Sequence, residues 1–191
     1  MFKAIKSLRY KNITKLLNTF QPQKARLPWD WLRVASPALY SGVIRMRVME
    51  ETERNIKKHG WEAMYVFDEH EEKEPFLYTI GLEETYSHPE IMIFGLNRET
   101  MHNIVSDIAQ DIKNGFKATA NEKTKGLLSG DFEVLFKPVK EQCFENYLGH
   151  ANRYYQKPYR AFVMFWPDKN NILPTESDCQ VSVQDEALKI V

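Results

Sequence analysis

Three short apolar runs limit what this chain can fold into. WEAMYVF at 61–67, PFLYTIG at 75–81 and IMIFGL at 91–96 each have the length of a strand, carry aromatic or β-branched residues, and are separated by polar or turn-forming residues. Runs this short and this close commit the middle of the chain to a β-sheet. The first two are joined by DEHEEKE, an acidic connection that reads as a solvated turn, so a hairpin is the natural pairing. The third is continuously apolar, the pattern of a strand covered on both faces.

Helical periodicity surrounds these strands. A helix is predicted from Met49 to His59, with Lys57, Lys58 and His59 in its last turn and Gly60 beyond it, because cations and a left-handed glycine suit a helix end. Asn97 can cap a second helix, with Glu99 in its first turn, an apolar stripe of Met101, Ile104, Val105, Ile108 and Ile112, and Gly115 as its stop. Residues 116–130 are polar and glycine-punctuated. DFEVLFKPV then reads as a strand, Glu141 to Tyr155 as one helix with Phe144, Tyr147, Leu148, Ala151 and Tyr155 on a face, and YRAFVMFW as a last strand ending at Pro167. Strands in runs beside helices predict an α+β fold with a mostly antiparallel sheet of about five strands, flanked by helices.

The charge is segregated. Lys and Arg match Asp and Glu over the 191 residues, 26 of each, yet residues 1–48 hold ten of the bases and a single acid, Asp30. This sets apart a basic extension at 1–48, an α+β domain at 49–175 and a polar tail at 176–191, expected to be loosely held. Residues 2–20 space Phe2, Ile5, Leu8, Ile13, Leu16, Leu17 and Phe20 as an amphipathic helix among lysines. It is read as docking on its own domain, with a membrane surface or another anionic partner as the alternative. Residues 21–42 read as an irregular, proline-containing linker anchored by Trp29 and Trp31.

Composition narrows the function classes. No run reaches a transmembrane length, and the first 20 residues lack the unbroken apolar core of a signal peptide. The two cysteines, Cys143 and Cys179, have no paired or metal-ligand spacing, which fits a reducing, cytoplasmic setting and a buried, unreactive role for Cys143. HExxH, CxxC, acidic calcium loops and glycine-rich phosphate loops are absent, so neither a metal nor a cofactor is expected. HANRYYQKPYR at 150–160 mixes cations with tyrosines in a way that can stack bases, but the acidic domain around it argues against nucleic acid.

Chemistry concentrates at 78–90. Tyr78 and Thr79 end a strand, Gly81 turns the chain, and Glu83, Glu84, Tyr86, His88 and Glu90 follow, with Pro89 restricting the backbone. Imidazole shuttles protons near neutral pH and a carboxylate can orient it, so His88, Glu84, Glu90 and Tyr78 are the catalytic candidates. Thr79, Tyr86, Trp166 and Asp168 are the binding candidates. The bland reading has His88 bonded to backbone and Glu90 facing solvent.

Taken in order, Gly60-Trp61, YTIGL at 78–82, His88-Pro89-Glu90, Gly95-Leu96, Gly115 and Trp166-Pro167-Asp168 followed by Pro174 resemble the bacterial family called domain of unknown function 4262. The resemblance covers about 51–175. It implies a small cytosolic bacterial domain with no established reaction, substrate or cofactor. The chain departs from that pattern where Thr175 and Glu176 follow Pro174 in place of an aromatic, and where Val163 stands in place of a glutamine.

These readings predict a small ligand- or protein-binding module. It would use the 78–90 segment and the Trp166–Asp168 end around a shared, solvent-reachable hollow, with an unidentified small molecule or protein as partner. The alternative is a small hydrolase or transferase with His88 as acid or base, Glu84 or Glu90 orienting it, and Tyr78 as a donor.

Overall fold

The structure, a computed structural model, describes residues 37–67 and 74–191. The amphipathic helix expected at 2–20, Trp29 and Trp31, and most of the DEHEEKE connection lie outside the described residues. Helix α1 spans Pro37–His59, longer at its start than the Met49–His59 expected. Pro37 is the first described residue and is already helical. Residues 37–42 are helical, in place of the irregular linker expected over 21–42. Residues Val43–Val191 form one compact unit; of the preceding unit, Met1–Gly42, only residues 37–42 are described, and they are helical.

Strands β1 (Glu62–Val66) and β2 (Phe76–Ile80) pair antiparallel as the expected hairpin. A short helix, α2 (Leu82–Tyr86), replaces the expected loop before β3 (Glu90–Phe94). Helix α3 (Arg98–Lys113) begins where the sequence places it, with the Asn97 side chain accepting from the Thr100 amide at 2.9 Å. Within the polar 116–130 stretch lies β4 (Lys123–Lys125), a strand too short and too hydrophilic for periodicity to reveal. It pairs with β5 (Glu133–Pro138).

The helix expected at 141–155 is broken into a 3-10 turn at Glu141–Cys143, α4 (Phe144–Tyr147) and α5 (Gly149–Tyr155). Its apolar face survives the breaks, because Phe144, Tyr147, Leu148, Ala151 and Tyr155 all pack into one core cluster. Strand β6 (Ala161–Phe165) follows, and helix α6 (Asp185–Lys189) ends the chain. The last segment is not loosely held. Ala187 and Ile190 are buried in the core, and buried Gln184 clamps Trp166, accepting from its backbone N–H at 3.2 Å and donating to its carbonyl at 2.8 Å.

The fold is α+β, with a sheet of six strands in the order β1-β2-β3-β6-β5-β4. Every pairing is antiparallel except β3 with β6. Side chains alternate between its faces, as a pleated strand requires. Leu77, Ile91, Ile93, Val134, Phe136 and Met164 face α3. Tyr78, Ile80, Met92, Phe94, Val163 and Phe165 face a layer containing Ile56 of α1, α5 and α6. The continuous apolarity of β3 thus reflects cover on both sides, all five of its residues being buried.

Candidate functional site: a buried carboxylate and two adjoining clefts

The register of β2 with β3 ends at Tyr78 opposite Met92, and beyond it the two strands separate. Polar side chains fill the split. The Thr79 hydroxyl takes over from the ladder, accepting from the Ile91 amide at 2.9 Å and donating to a Glu90 carboxylate oxygen at 2.5 Å. The other Glu90 oxygen accepts from the Gly81 and Glu83 amides, each at 3.0 Å, and from the Tyr155 hydroxyl. Tyr155 in turn accepts from the Gly81 amide at 2.8 Å. Glu90 therefore caps the start of α2 from across the sheet, supplying the acceptor that Gly81, at the cap position, cannot.

Gly81 is needed there. Its φ of +106° is left-handed, and a Cβ would lie 3.0 Å from the Gly60 carbonyl oxygen and from Ile56. Glu90 is wholly buried, contrary to the solvent-facing placement considered above. Burial pushes its carboxyl above the ordinary carboxylate range, while the amides and hydroxyls around it pull the other way. Burial and the adjacent Glu90 charge push the Tyr155 phenol up as well.

His88 points elsewhere. Its Nδ1 lies 2.7 Å from the Pro89 carbonyl oxygen and its Nε2 3.1 Å from the Ala118 amide. An amide only donates and a carbonyl only accepts, so Nδ1 carries the proton and the ring is neutral. Burial lowers its pKa in keeping with that state. Tyr78, also buried, accepts from the His150 amide at 3.3 Å, and burial pushes its phenol up to about 12. His150 Nε2 lies 2.9 Å from the Thr52 hydroxyl.

The remaining predicted residues are spread over three places. Glu84 accepts from the Tyr154 hydroxyl at 2.5 Å at the surface. Asp168 accepts from the Asn170 and Ile172 amides at 2.8 and 3.0 Å, and these bonds hold its carboxyl below the usual range. Trp166 donates its indole N–H to the Phe94 carbonyl at 2.9 Å. Thr79 and Glu90 thus meet, whereas Tyr78, His88, Trp166 and Asp168 are each held by different backbone groups rather than around one hollow. The tyrosines of 150–160 are likewise engaged within the domain: Tyr155 stacks on Tyr159 with centroids 4.6 Å apart, and Tyr159 donates to Asn152 at 2.6 Å.

Solvent-reachable space lies beside this node. One cleft of about 470 Å³ runs between the end of α1, α2 and Tyr154, and includes Glu53, Glu84 and Tyr86. A second, of about 600 Å³, lies between β1 and α3, bordered by Trp61, Glu62, His102 and Gln110. Lys58, His59, Tyr86 and Lys113 border both. The cations gather because α1 and α3 end close together, each with bases in its last turn where they offset the carbonyl ends. Periodicity reveals each helix end, but not that the two converge. Sequence reading also missed Tyr155 as a partner of Glu90, since no local pattern links residues 65 apart.

No group of three or more His, Cys, Asp or Glu side chains that could hold a metal ion occurs among the described residues. No helix among them is long and apolar enough to cross a membrane. Residues 55–180 match the family model described as Domain of unknown function (DUF4262). The chain belongs to the DUF4262 family. No curated protein and no solved structure matches it. Several of the residues that pointed to DUF4262 carry the geometry just described: Gly60 meets Tyr86, Gly81 makes the turn into α2, Glu90 caps that helix, and Trp166 and Asp168 anchor the last connection.

Proposed function

We propose that this DUF4262 chain is a non-catalytic binding module whose recognition surface is the pair of adjoining clefts, and that it takes an anionic group between Lys58 and Lys113. The observation that carries this reading is the shared wall of Lys58, His59, Tyr86 and Lys113, which places two ammonium groups and an aromatic ring beside both openings. Glu84 and Tyr86, from the segment singled out in the sequence, lie on this surface. The acid-base alternative has less support. Tyr78, His88 and Glu90 are at most 2% exposed, and both His88 nitrogens are already engaged with backbone.

The reading is tested by following backbone amide shifts in the full chain during titration with inorganic phosphate and, separately, with a short polyglutamate peptide. Shifts confined to the ends of α1 and α3 are expected, and Lys58→Glu with Lys113→Glu should weaken the response roughly tenfold or more. Shifts scattered over the surface, or unchanged by the double substitution, would sink it.

A further inference from the structure

We propose that the first cleft, bordered by Glu53, Glu84 and Tyr154, binds a small zwitterion whose ammonium and carboxylate are as far apart as the two ends of a dipeptide. The carboxylate end rests on the anion reading of Lys58 and Lys113 given above; the ammonium end is new.

Charges of both signs line this cleft without meeting. Glu53, Lys57 and Lys58 come from α1, Glu84 from α2 and Lys113 from the end of α3. None of these side chains makes an ion pair among the described residues. The acids gather around Tyr154. Its hydroxyl donates to Glu84 at 2.5 Å, and its phenol is pushed up by burial first, then by the bond and charge of Glu84, with the Glu53 charge adding to both. The bases gather in the last turns of α1 and α3. Opposite charges facing one opening of about 470 Å³, within the size range of small-molecule sites, suit a ligand that carries both signs.

Spacing along α1 selects the length of that ligand. Glu53 precedes Lys57 by four residues and Lys58 by five, and a rise of about 1.5 Å per residue sets the opposite charges roughly 6 to 7.5 Å apart along the helix axis. A free α-amino acid carries both charges on one residue, whereas two extended residues span about 7 Å. An ammonium group has three protons to donate, and Glu53, Glu84 and the Tyr154 oxygen offer three acceptors. The carboxylate meets the ammonium groups of Lys58 and Lys113. Ile56 and Tyr86 border the same cleft and give apolar surface to the part of the ligand in between. A ligand of one sign, long enough to reach both ends, is repelled at one of them, which favours the zwitterion.

Calorimetric titration of the full chain with dialanine tests this, beside N-acetyl-dialanine, which lacks the ammonium, dialanine amide, which lacks the carboxylate, and free alanine. Dialanine should bind at least about fivefold tighter than each of the three. Glu53→Gln with Glu84→Gln keeps an acceptor for Tyr154 and should erase the preference over N-acetyl-dialanine while leaving phosphate binding in place. Circular dichroism checks that the variant is folded. Any of the three comparison compounds binding as tightly as dialanine, or a preference that survives the double substitution, would overturn the proposal. Phosphate shifts at Lys58 and Lys113, together with no gain from the dialanine ammonium, would sink the zwitterion and leave the anion site standing. Phosphate shifts that Lys58→Glu with Lys113→Glu leaves unchanged would sink the anion site itself, and the zwitterion with it.

Discussion

At the scale of single residues, the most constrained group is the Glu90 carboxylate. Each described partner donates to it: Thr79 and Tyr155 have their acceptor roles taken by the Ile91 and Gly81 amides, so their protons face the carboxylate. The arrangement suits the anion, whereas burial disfavours it. Removing one donor should therefore cost more than an ordinary hydrogen bond. Tyr155→Phe is expected to lower unfolding free energy by about 1–3 kcal/mol, against about 1 kcal/mol or less for Tyr159→Phe, whose hydroxyl bonds the neutral Asn152 amide. Urea midpoints followed by far-UV circular dichroism give the comparison. Equal effects would mean that Glu90 draws no special support from Tyr155.

At the scale of elements, short segments are held by contacts from distant parts of the chain. Helix α2, only five residues long, is fixed at its start by Glu90. It is fixed also through Glu83, whose carboxylate receives Arg160 at 2.9 and 3.0 Å. Helix α6 is equally short, yet it contributes buried Ala187 and is followed by buried Ile190, with the Gln184 clamp just before it. Ending the chain after Ser182 should cost roughly 3 kcal/mol or more, from one fully buried aliphatic side chain together with two lost hydrogen bonds. Thermal unfolding of the shortened and full chains decides it, and unchanged melting would mean that α6 adds nothing. Close packing leaves no slack beside this segment either: a Cβ at Gly95 would come within 2.6 Å of the Val183 carbonyl oxygen.

At the scale of the whole molecule, stability should depend on pH through two imidazoles, buried His88 and half-buried His150. His88 and His150 both have folded pKa values below 6.5, each because burial disfavours the charged ring. Between the folded value and 6.5 the unfolded chain binds more protons, so stability is full above 6.5 and is lost as pH falls through that window. Glu90 works in the opposite sense, because a raised folded pKa makes stability fall as pH rises above the ordinary carboxylate value. His88→Asn cannot titrate there. The difference between the original chain and this variant should therefore shrink as pH drops from about 7.5 to about 5. Chemical-denaturation curves across that range provide the test, and a constant difference would mean that His88 does not contribute through its charge.

The amino-acid order by itself determined the elements whose cause is local. The length and apolar character of 61–67, 75–81 and 91–96 marked three strands, the stripe from Met101 to Ile112 with its Asn97 cap marked α3, and the ordered glycine, proline and tryptophan positions pointed to DUF4262. Local pattern failed where distant contacts outweigh propensity. Strand β4 is hydrophilic and exists because β5 pairs with it; α2 is five residues capped from another strand; and the polar closing segment docks through Gln184 and Ile190. The chemical character of 78–90 was legible as a concentration of Thr, Tyr, His and Glu. Which partners those groups meet elsewhere in the chain was decided only by the tertiary structure, because hydrogen-bond partners 30 to 72 residues apart are set by strand order and register, and a linear sequence displays neither.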